Sequence, residues 1–154
     1  AIIVGSDINA DRVERAQSQF GLKPIGVDEV FSYECDLFAP CALGGVLNDE
    51  TIPQLKTSAV CGGANNQLLE PRHADDLTAR DILYAPDYVI NAGGVVEVHY
   101  CREGKSVAET NKHIEGIAAT VREIFERAKQ QNLSTGFVAD RLAEERFGLV
   151  KRAA

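Results

Sequence analysis

The chain has 154 residues, of which 45% are hydrophobic and 25% are charged, values typical of one globular domain of ordinary size. Sixteen Lys and Arg against 23 Asp and Glu give a net charge of −7, which disfavours binding to nucleic acid or to an anionic membrane. The sequence contains no apolar run long enough to span a bilayer and no secretory signal pattern, so we expect a cytoplasmic protein.

The first predicted elements are a strand at residues 1–4 and an amphipathic helix that begins near Ala10 and ends at Gly21. One face of this helix carries Val13, Ala16 and Phe20. Asp7 lies between the strand and the helix and has two interpretations. It is either the N-cap of the helix, or an acid that accepts hydrogen bonds from the ribose 2′-hydroxyl of a dinucleotide at the end of the strand.

Two more strands are predicted at residues 35–39 and 58–61, with a helix that begins near Asn48 between them. The second of these strands runs into a segment rich in glycine and carboxamides at residues 62–67. Such a segment is either an ordinary polar turn or a strand end that faces a cofactor. Glycines let a planar group approach the backbone, and carboxamides pair with a nicotinamide carboxamide.

The remaining elements are mainly helical. A short helix at residues 75–80 leads to a strand at 82–85, a helical stripe that follows a capping box spans 114–128, and a last helix is predicted at 137–150. Short apolar strands that alternate with helices predict an α/β fold with a Rossmann-type parallel sheet, covered on both faces and followed by C-terminal helices. Ligands bind such sheets at the carboxyl ends of the strands.

The four cysteines lack the spacing of a metal site. They stand at positions 35, 41, 61 and 101 without a Cys-x-x-Cys pair, and His99 with Cys101 offers two ligands with no third nearby. Because structural zinc takes about four such ligands, we predict that the chain holds no metal.

Five segments, in order along the chain, resemble those of the leucine dehydrogenases, a branch of the Glu/Leu/Phe/Val dehydrogenase superfamily. They are ECDLFAPCALG at 34–44, NDETIPQL at 48–55, GANNQ at 63–67, YAPDYVINAGGV at 84–95 and ADRLAEER at 139–146. The resemblance implies an NAD-binding domain that starts at its second strand, since no Gly-x-Gly-x-x-Gly turn occurs in the sequence. It divides the chain into a partial Rossmann domain at residues 1–104 and C-terminal helices at residues 105–154.

The same resemblance implies which residues contact NAD. Asp7 would hold the adenosine ribose, and its charge would repel the 2′-phosphate of NADP. Ala42 and Leu43 would line the adenine side. Asn65 and Asn66 would contact the nicotinamide ribose or carboxamide and the polar end of the substrate.

Val95 and Val98 match the positions that flank the substrate side chain in this family. Two branched aliphatic side chains suit an apolar amino acid, since they offer dispersion contacts and no partner for a second carboxylate. Because they lie one turn apart on a predicted helix, they have a second interpretation as ordinary core. Residues 96–101 depart from the commonest family pattern, so the choice among leucine, valine, phenylalanine and tryptophan stays open.

The reaction that the resemblance implies is the oxidative deamination of an apolar L-amino acid by NAD and water to a 2-oxo acid, ammonia and NADH. The catalytic lysines and aspartate of the family belong to a separate substrate domain. We therefore predict no catalytic acid or base in this chain, which alone would be inactive.

We expect this chain to be a trimmed part of a complete enzyme, which the resemblance implies to be an even-numbered homo-oligomer. Two alternatives stand beside this interpretation. One is a nonenzymatic dinucleotide-binding module, and the other is an inactive, shortened relative.

Overall fold

The computed structural model describes residues 1–148 and shows a mixed α/β architecture. The strands are short, with bounds Val4–Gly5 (β1), Lys23–Pro24 (β2), Leu37–Phe38 (β3), Ala59–Val60 (β4) and Leu83–Tyr84 (β5). The helices are Ala10–Phe20 (α1), His73–Ala79 (α2), Asp87–Ile90 (α3), Gly93–Arg102 (α4), Val107–Glu115 (α5), Ile117–Gln131 (α6) and Thr135–Phe147 (α7). All paired strands run parallel, so the prediction of a parallel α/β fold is confirmed.

The strands form two sheets where one was expected. β1 pairs with β2, while β3, β4 and β5 form a second sheet in that order. No strand among residues 1–148 pairs with strands of both sheets. β2, which the sequence did not predict, carries Lys23 and Pro24, and proline is tolerated mainly in edge strands.

The two faces of the three-stranded sheet differ in burial. One face presents Val60 and Tyr84 to a core. That core consists of Leu47, Ile52, Leu55, Val60, Leu77, Ile82 and Tyr84. The opposite face carries Leu37 and Leu83, which are 52% and 44% exposed. The prediction that the sheet is covered on both faces is therefore wrong for the described residues.

Several element boundaries follow local capping. Asn48 caps a turn as predicted, since its Oδ1 accepts the N–H groups of Glu50 and Thr51. Only a 3₁₀ turn at Ile52–Gln54 forms there, and the backbone leaves the helical region at Leu55, where ψ is 131°. The predicted stripe at 114–128 is divided between α5 and α6. The last helix begins at Thr135, and its predicted end at 149–150 lies outside the described residues.

A second core lies between the C-terminal helices α6 and α7. It consists of Ile124, Ala128, Val138, Ala139 and Leu142. α7 also contacts α2 and β5, and α6 contacts α3. The division of the chain at residue 104 stays a prediction. Within residues 1–148, no helix combines the length and the hydrophobicity that crossing a bilayer requires.

Candidate functional site

The segment at residues 62–67, which we call the amide loop, leaves β4 under tight steric constraint. Gly62 lies so close to Pro40 that an added Cβ would stand 2.2 Å from the Pro40 carbonyl oxygen. An added Cβ on Gly44, after β3, would stand 2.8 Å from the carbonyl oxygen of Asn65. Glycine at both positions therefore allows the loops after β3 and β4 to pack backbone against backbone.

The backbone of Asn66 is held in the left-handed region. Its φ is 53°, a conformation that asparagine adopts more readily than most residues. Its N–H donates to Oδ2 of Asp87 at 2.7 Å, and Asp87 is only 6% exposed. The side chains of Asn65 and Asn66 are exposed. The loop therefore presents two carboxamides to solvent from a fixed backbone.

Gln67, the third carboxamide of the loop, faces inward. It is fully buried, and its Nε2 donates to the carbonyl oxygens of Gly62 at 2.6 Å and Ala64 at 2.9 Å. Gln67 thus braces the loop from within, and only Asn65 and Asn66 remain open to a ligand.

Asn91, which the sequence reasoning missed, braces the same loop from outside. Its Nδ2 donates to the carbonyl oxygens of Gly63 and Ala64, each at 3.0 Å, and lies 3.4 Å from Oδ1 of Asn65. The signal for it was present in the sequence, because Asn91 is the carboxamide that shortly precedes the double glycine at residues 93–94.

Ala42 and Leu43 lie in the loop after β3 and are exposed, Leu43 by 76%. They directly precede Gly44, which packs against Asn65 and Asn66. The structure therefore gathers four of the predicted cofactor residues at one edge, the carboxyl ends of β3 and β4.

Asp7 follows β1, in the other sheet. Its Oδ1 accepts the N–H of Asn9 at 2.8 Å, and its Oδ2 lies 3.7 Å from the Arg12 guanidinium. Asn9, whose Oδ1 accepts the N–H groups of Asp11 and Arg12, is the N-cap of α1. The interpretation of Asp7 as the N-cap is therefore wrong.

A cleft of about 580 Å³ opens beside Asp7, between α1 and the ends of β1 and β2. Ser6, Ile25 and Gly26 also line it. No hydrogen bond or ion pair among residues 1–148 joins Asp7 to the amide loop. Asp7, predicted to hold the adenosine ribose, therefore follows a strand of a different sheet from the other four predicted cofactor residues.

Val95 and Val98 lie on α4 and are 74% and 57% exposed. The interpretation of this pair as core is therefore wrong for the described part of the chain. α4 is fixed instead through Tyr100, whose hydroxyl lies 2.8 Å from Nδ1 of His113 on α5. The valines form an open apolar surface directly after the double glycine.

Asp49, His73 and Asp76 place their ligand atoms within 4.8 Å of one another, so they form a candidate metal cluster. Arg72 already pairs with both carboxylates, at 2.6 Å and 3.4 Å, and its hydrogen bond lowers the pKa of Asp49. Nδ1 of His73 accepts the N–H of Glu70 at 3.0 Å, so the proton of the neutral imidazole sits on Nε2, the atom that faces Asp49. The cluster is therefore an ion-pair network, and the absence of a metal stays a prediction.

The lysines offer no buried candidate for a catalytic base. All lysines within residues 1–148 are exposed: Lys23, Lys56, Lys105, Lys112 and Lys129. Catalytic lysines are typically desolvated. That the chain lacks a catalytic acid or base stays a prediction.

Parallel strands with glycine-lined polar loops at their carboxyl ends are the architecture of a Rossmann-like α/β domain. Residues 6–143 match the family model described as Glutamate/Leucine/Phenylalanine/Valine dehydrogenase, and the chain belongs to this family. The resemblance drawn from the five segments is thereby confirmed.

Three relatives show the extent of the match. Leucine dehydrogenase of Geobacillus stearothermophilus is 46% identical over 153 residues, which cover 99% of this chain and 42% of that protein. Phenylalanine dehydrogenase of Caldalkalibacillus thermarum is 46% identical over 132 residues, 86% of this chain and 35% of the relative. The crystal structure of L-tryptophan dehydrogenase from Nostoc punctiforme is similar with a TM-score of 0.92 at 41% identity, covering 99% of this chain and 46% of that one. The chain thus spans less than half the length of these relatives.

Proposed function

We propose that this chain supplies the cofactor-binding part of an NAD-dependent dehydrogenase that oxidatively deaminates an apolar L-amino acid of the leucine type. The observation that carries the proposal is the amide loop, which holds Asn65 and Asn66 exposed while three other side chains fix its backbone. These are Gln67, Asp87 and Asn91. Membership of the amino-acid dehydrogenase family supports it.

The residues present fit a dinucleotide. Asn65 and Asn66 offer both donors and acceptors, as the nicotinamide carboxamide and its ribose require. Ala42 and Leu43 add exposed apolar surface beside them for the adenine side. Bound NAD would supply the hydride acceptor for the α-carbon of the substrate.

Asp7 supports NAD as the cofactor. Because its Oδ1 already accepts the N–H of Asn9, its Oδ2 remains to accept a ribose hydroxyl at the edge of an open cleft. A 2′-phosphate at the same place would meet a carboxylate, although the Arg12 guanidinium at 3.7 Å reduces that repulsion.

Val95 and Val98 support an apolar substrate. Both are exposed side chains of branched aliphatic type, and a second carboxylate on the substrate would find no cation in this pair. The leucine and phenylalanine dehydrogenases named above are equally identical to this chain, at 46%. We favour the leucine type because that match extends over 99% of the chain, against 86% for the other.

The direct test is an initial-rate assay of the full-length protein, with NAD or NADP and a panel of L-leucine, L-valine, L-phenylalanine, L-tryptophan and L-glutamate. We expect NADH formation with leucine and valine, and little reaction with glutamate. Dinucleotide binding without turnover of any amino acid would favour the nonenzymatic module. Failure to bind a dinucleotide would refute the proposed function.

A further inference from the structure

We propose that Asp87 is a positioning residue, which fixes the backbone of Asn66 so that the amide loop is preorganised for the dinucleotide. This inference rests on the function proposed above. Asp87 is buried beneath the loop and acts through Asn66, so we do not assign it a contact with cofactor or substrate.

Both carboxylate oxygens of Asp87 are committed to neighbouring donors. Oδ2 accepts the N–H of Asn66 at 2.7 Å, across 21 residues of sequence, and Oδ1 accepts the hydroxyl of Tyr84 at 2.7 Å. The Tyr84 oxygen in turn accepts the N–H of Asp87 at 3.3 Å. Hydrogen bonds to an ionised carboxylate are shorter and stronger than neutral ones, and burial strengthens them further.

The backbone of Asn66 needs such support. A φ of 53° lies in a region that side chains other than glycine occupy at a cost, and the residue itself is exposed. The N–H of Asn66 points down to Asp87, while its carbonyl oxygen accepts the N–H of Gly45 at 2.7 Å. These two bonds fix both peptide groups of Asn66 and, with them, the direction of its carboxamide.

Asp87 is itself anchored, through Tyr84, to the core beneath the three-stranded sheet and to α7. Tyr84 is 2% exposed, and its carbonyl oxygen accepts the hydroxyl of Thr135 on α7 at 2.7 Å. Burial raises the pKa of Tyr84, and the hydrogen bond to Asp87 raises it further, so the phenol remains a donor throughout the physiological pH range. The path from α7 to the amide loop thus runs through Thr135, Tyr84, Asp87 and Asn66.

The chain contains a matched control for this arrangement. Tyr88 donates to Oδ1 of Asp140 at 2.6 Å, which is the same pairing of residue types at nearly the same distance. Asp140 is exposed on α7, and the structure shows no hydrogen bond from this pair to the amide loop among residues 1–148. Loss of this second pair should leave the amide loop in place.

The experiment compares Asp87→Ala, Asp87→Asn and the control Asp140→Ala in the full-length protein, by fluorescence titration with NADH. We expect Asp87→Ala to raise the Kd for NADH at least tenfold. Asp87→Asn should restore most of the affinity, because its amide oxygen accepts the N–H of Asn66. Asp140→Ala should bind NADH like the wild type.

A second measurement needs no cofactor. Hydrogen exchange, read at single-residue resolution to separate Asn66 from the hydrogen-bonded amides of Ala64 and Leu69, should show a protected Asn66 amide in the wild type although the residue is exposed. That protection should be lost in Asp87→Ala and kept in Asp140→Ala. A folded Asp87→Ala variant that keeps both wild-type NADH affinity and the protected amide would overturn the proposal. If Asp87→Ala does not fold, the wild type alone decides, because an Asn66 amide that exchanges as fast as in the unfolded chain would overturn the proposal equally. A wild type that binds no NADH but shows the protected amide would refute the proposed function and leave the positioning of Asn66 intact.

Discussion

At the scale of single residues, burial separates the carboxamides that support the amide loop from those that are free to bind a ligand. Gln67 is fully buried and bonded to the loop backbone, whereas Asn65 and Asn66 are exposed. The sequence shows three adjacent amides and gives no sign of this division, because it depends on which way each side chain leaves the loop.

Asp7 provides a prediction about cofactor choice. Asp7→Ser removes an acceptor for ribose hydroxyls and a charge that opposes a 2′-phosphate, so we expect the Kd for NADH to rise about tenfold and the preference over NADPH to shrink. Paired titrations with NADH and NADPH measure both effects.

Asp11→Ser is the control for this change, since Asp11 is also exposed, carries the same charge and lies on the first turn of α1, the helix that follows Asp7. It should leave both affinities nearly unchanged. Equal losses in the two variants would show a general electrostatic effect and contradict the role of Asp7.

Cys61 provides a prediction about pH. Burial, and secondarily the nearby Cys41, raise the pKa of its thiol. Because only the thiolate reacts, alkylation of Cys61 by iodoacetamide should be slower in the folded protein than in urea, and its rate should rise at a higher pH than in the unfolded chain. Peptide mass spectrometry across a pH series measures the rate at each cysteine.

Cys41 serves as the internal reference, because it is exposed and should react before Cys61. A Cys61 that reacts in the folded state as fast as in urea would contradict the partial burial that the structure shows.

At the scale of elements, the contact between the ends of β3 and β4 depends on Gly62 and Gly44, and Gly62 makes the tighter approach. Gly62→Ala would place its Cβ 2.2 Å from the Pro40 carbonyl oxygen and 2.4 Å from the Pro40 nitrogen. Because both are backbone atoms, we expect the variant to lose about 3 kcal/mol of unfolding free energy and much of its NADH affinity. Urea denaturation and NADH titration measure these losses.

Gly63→Ala is the matched control. The nearest atom to its added Cβ is Sγ of Cys41, at an ordinary contact distance of 3.7 Å. We expect a stability close to that of the wild type. If the two alanine variants were equally stable, the close packing of the two loops would be disproved.

Elements with local signals were predictable, and those set by distant partners were not. α1 has its N-cap at Asn9 and its left-handed C-cap at Gly21, and its predicted bounds match the structure. The capping box of Ser106 and Glu109 also forms as predicted. By contrast, β2 depends on pairing with β1, which no local pattern of its own residues indicates.

The same distinction between local signals and distant partners applies to the residues of the candidate site. Ala42, Leu43, Asn65 and Asn66 follow strands, so the rule for parallel sheets brings them to one edge. Asp87 and Asn91 reach that edge through hydrogen bonds that span 21 to 28 residues. The place of Asn91 before the double glycine marked it as a candidate, but the support that both residues give to the loop could not be predicted, because it depends on how α3 and its C-cap pack against the amide loop.

At the scale of the whole molecule, the described chain leaves apolar surface uncovered. Leu37 and Leu83 lie on the open face of the sheet, and Val95 and Val98 lie on the open face of α4. The chain spans 42% of the leucine dehydrogenase it matches. We propose that the full-length protein covers these surfaces and assembles as an even-numbered homo-oligomer.

Sedimentation velocity of the full-length protein measures the state of assembly. We expect one species of even subunit number whose mass is independent of protein concentration in the micromolar range. A monomer would contradict the proposed assembly and would leave the cofactor site unaffected.

The most direct measurement of the central claim is a crystal structure of the full-length protein with NADH. We predict that the adenosine ribose hydroxyls lie within hydrogen-bond distance of Asp7, and that the nicotinamide lies beside Asn65 and Asn66 with Val95 and Val98 near its reactive face. NADH bound away from the amide loop would contradict the account.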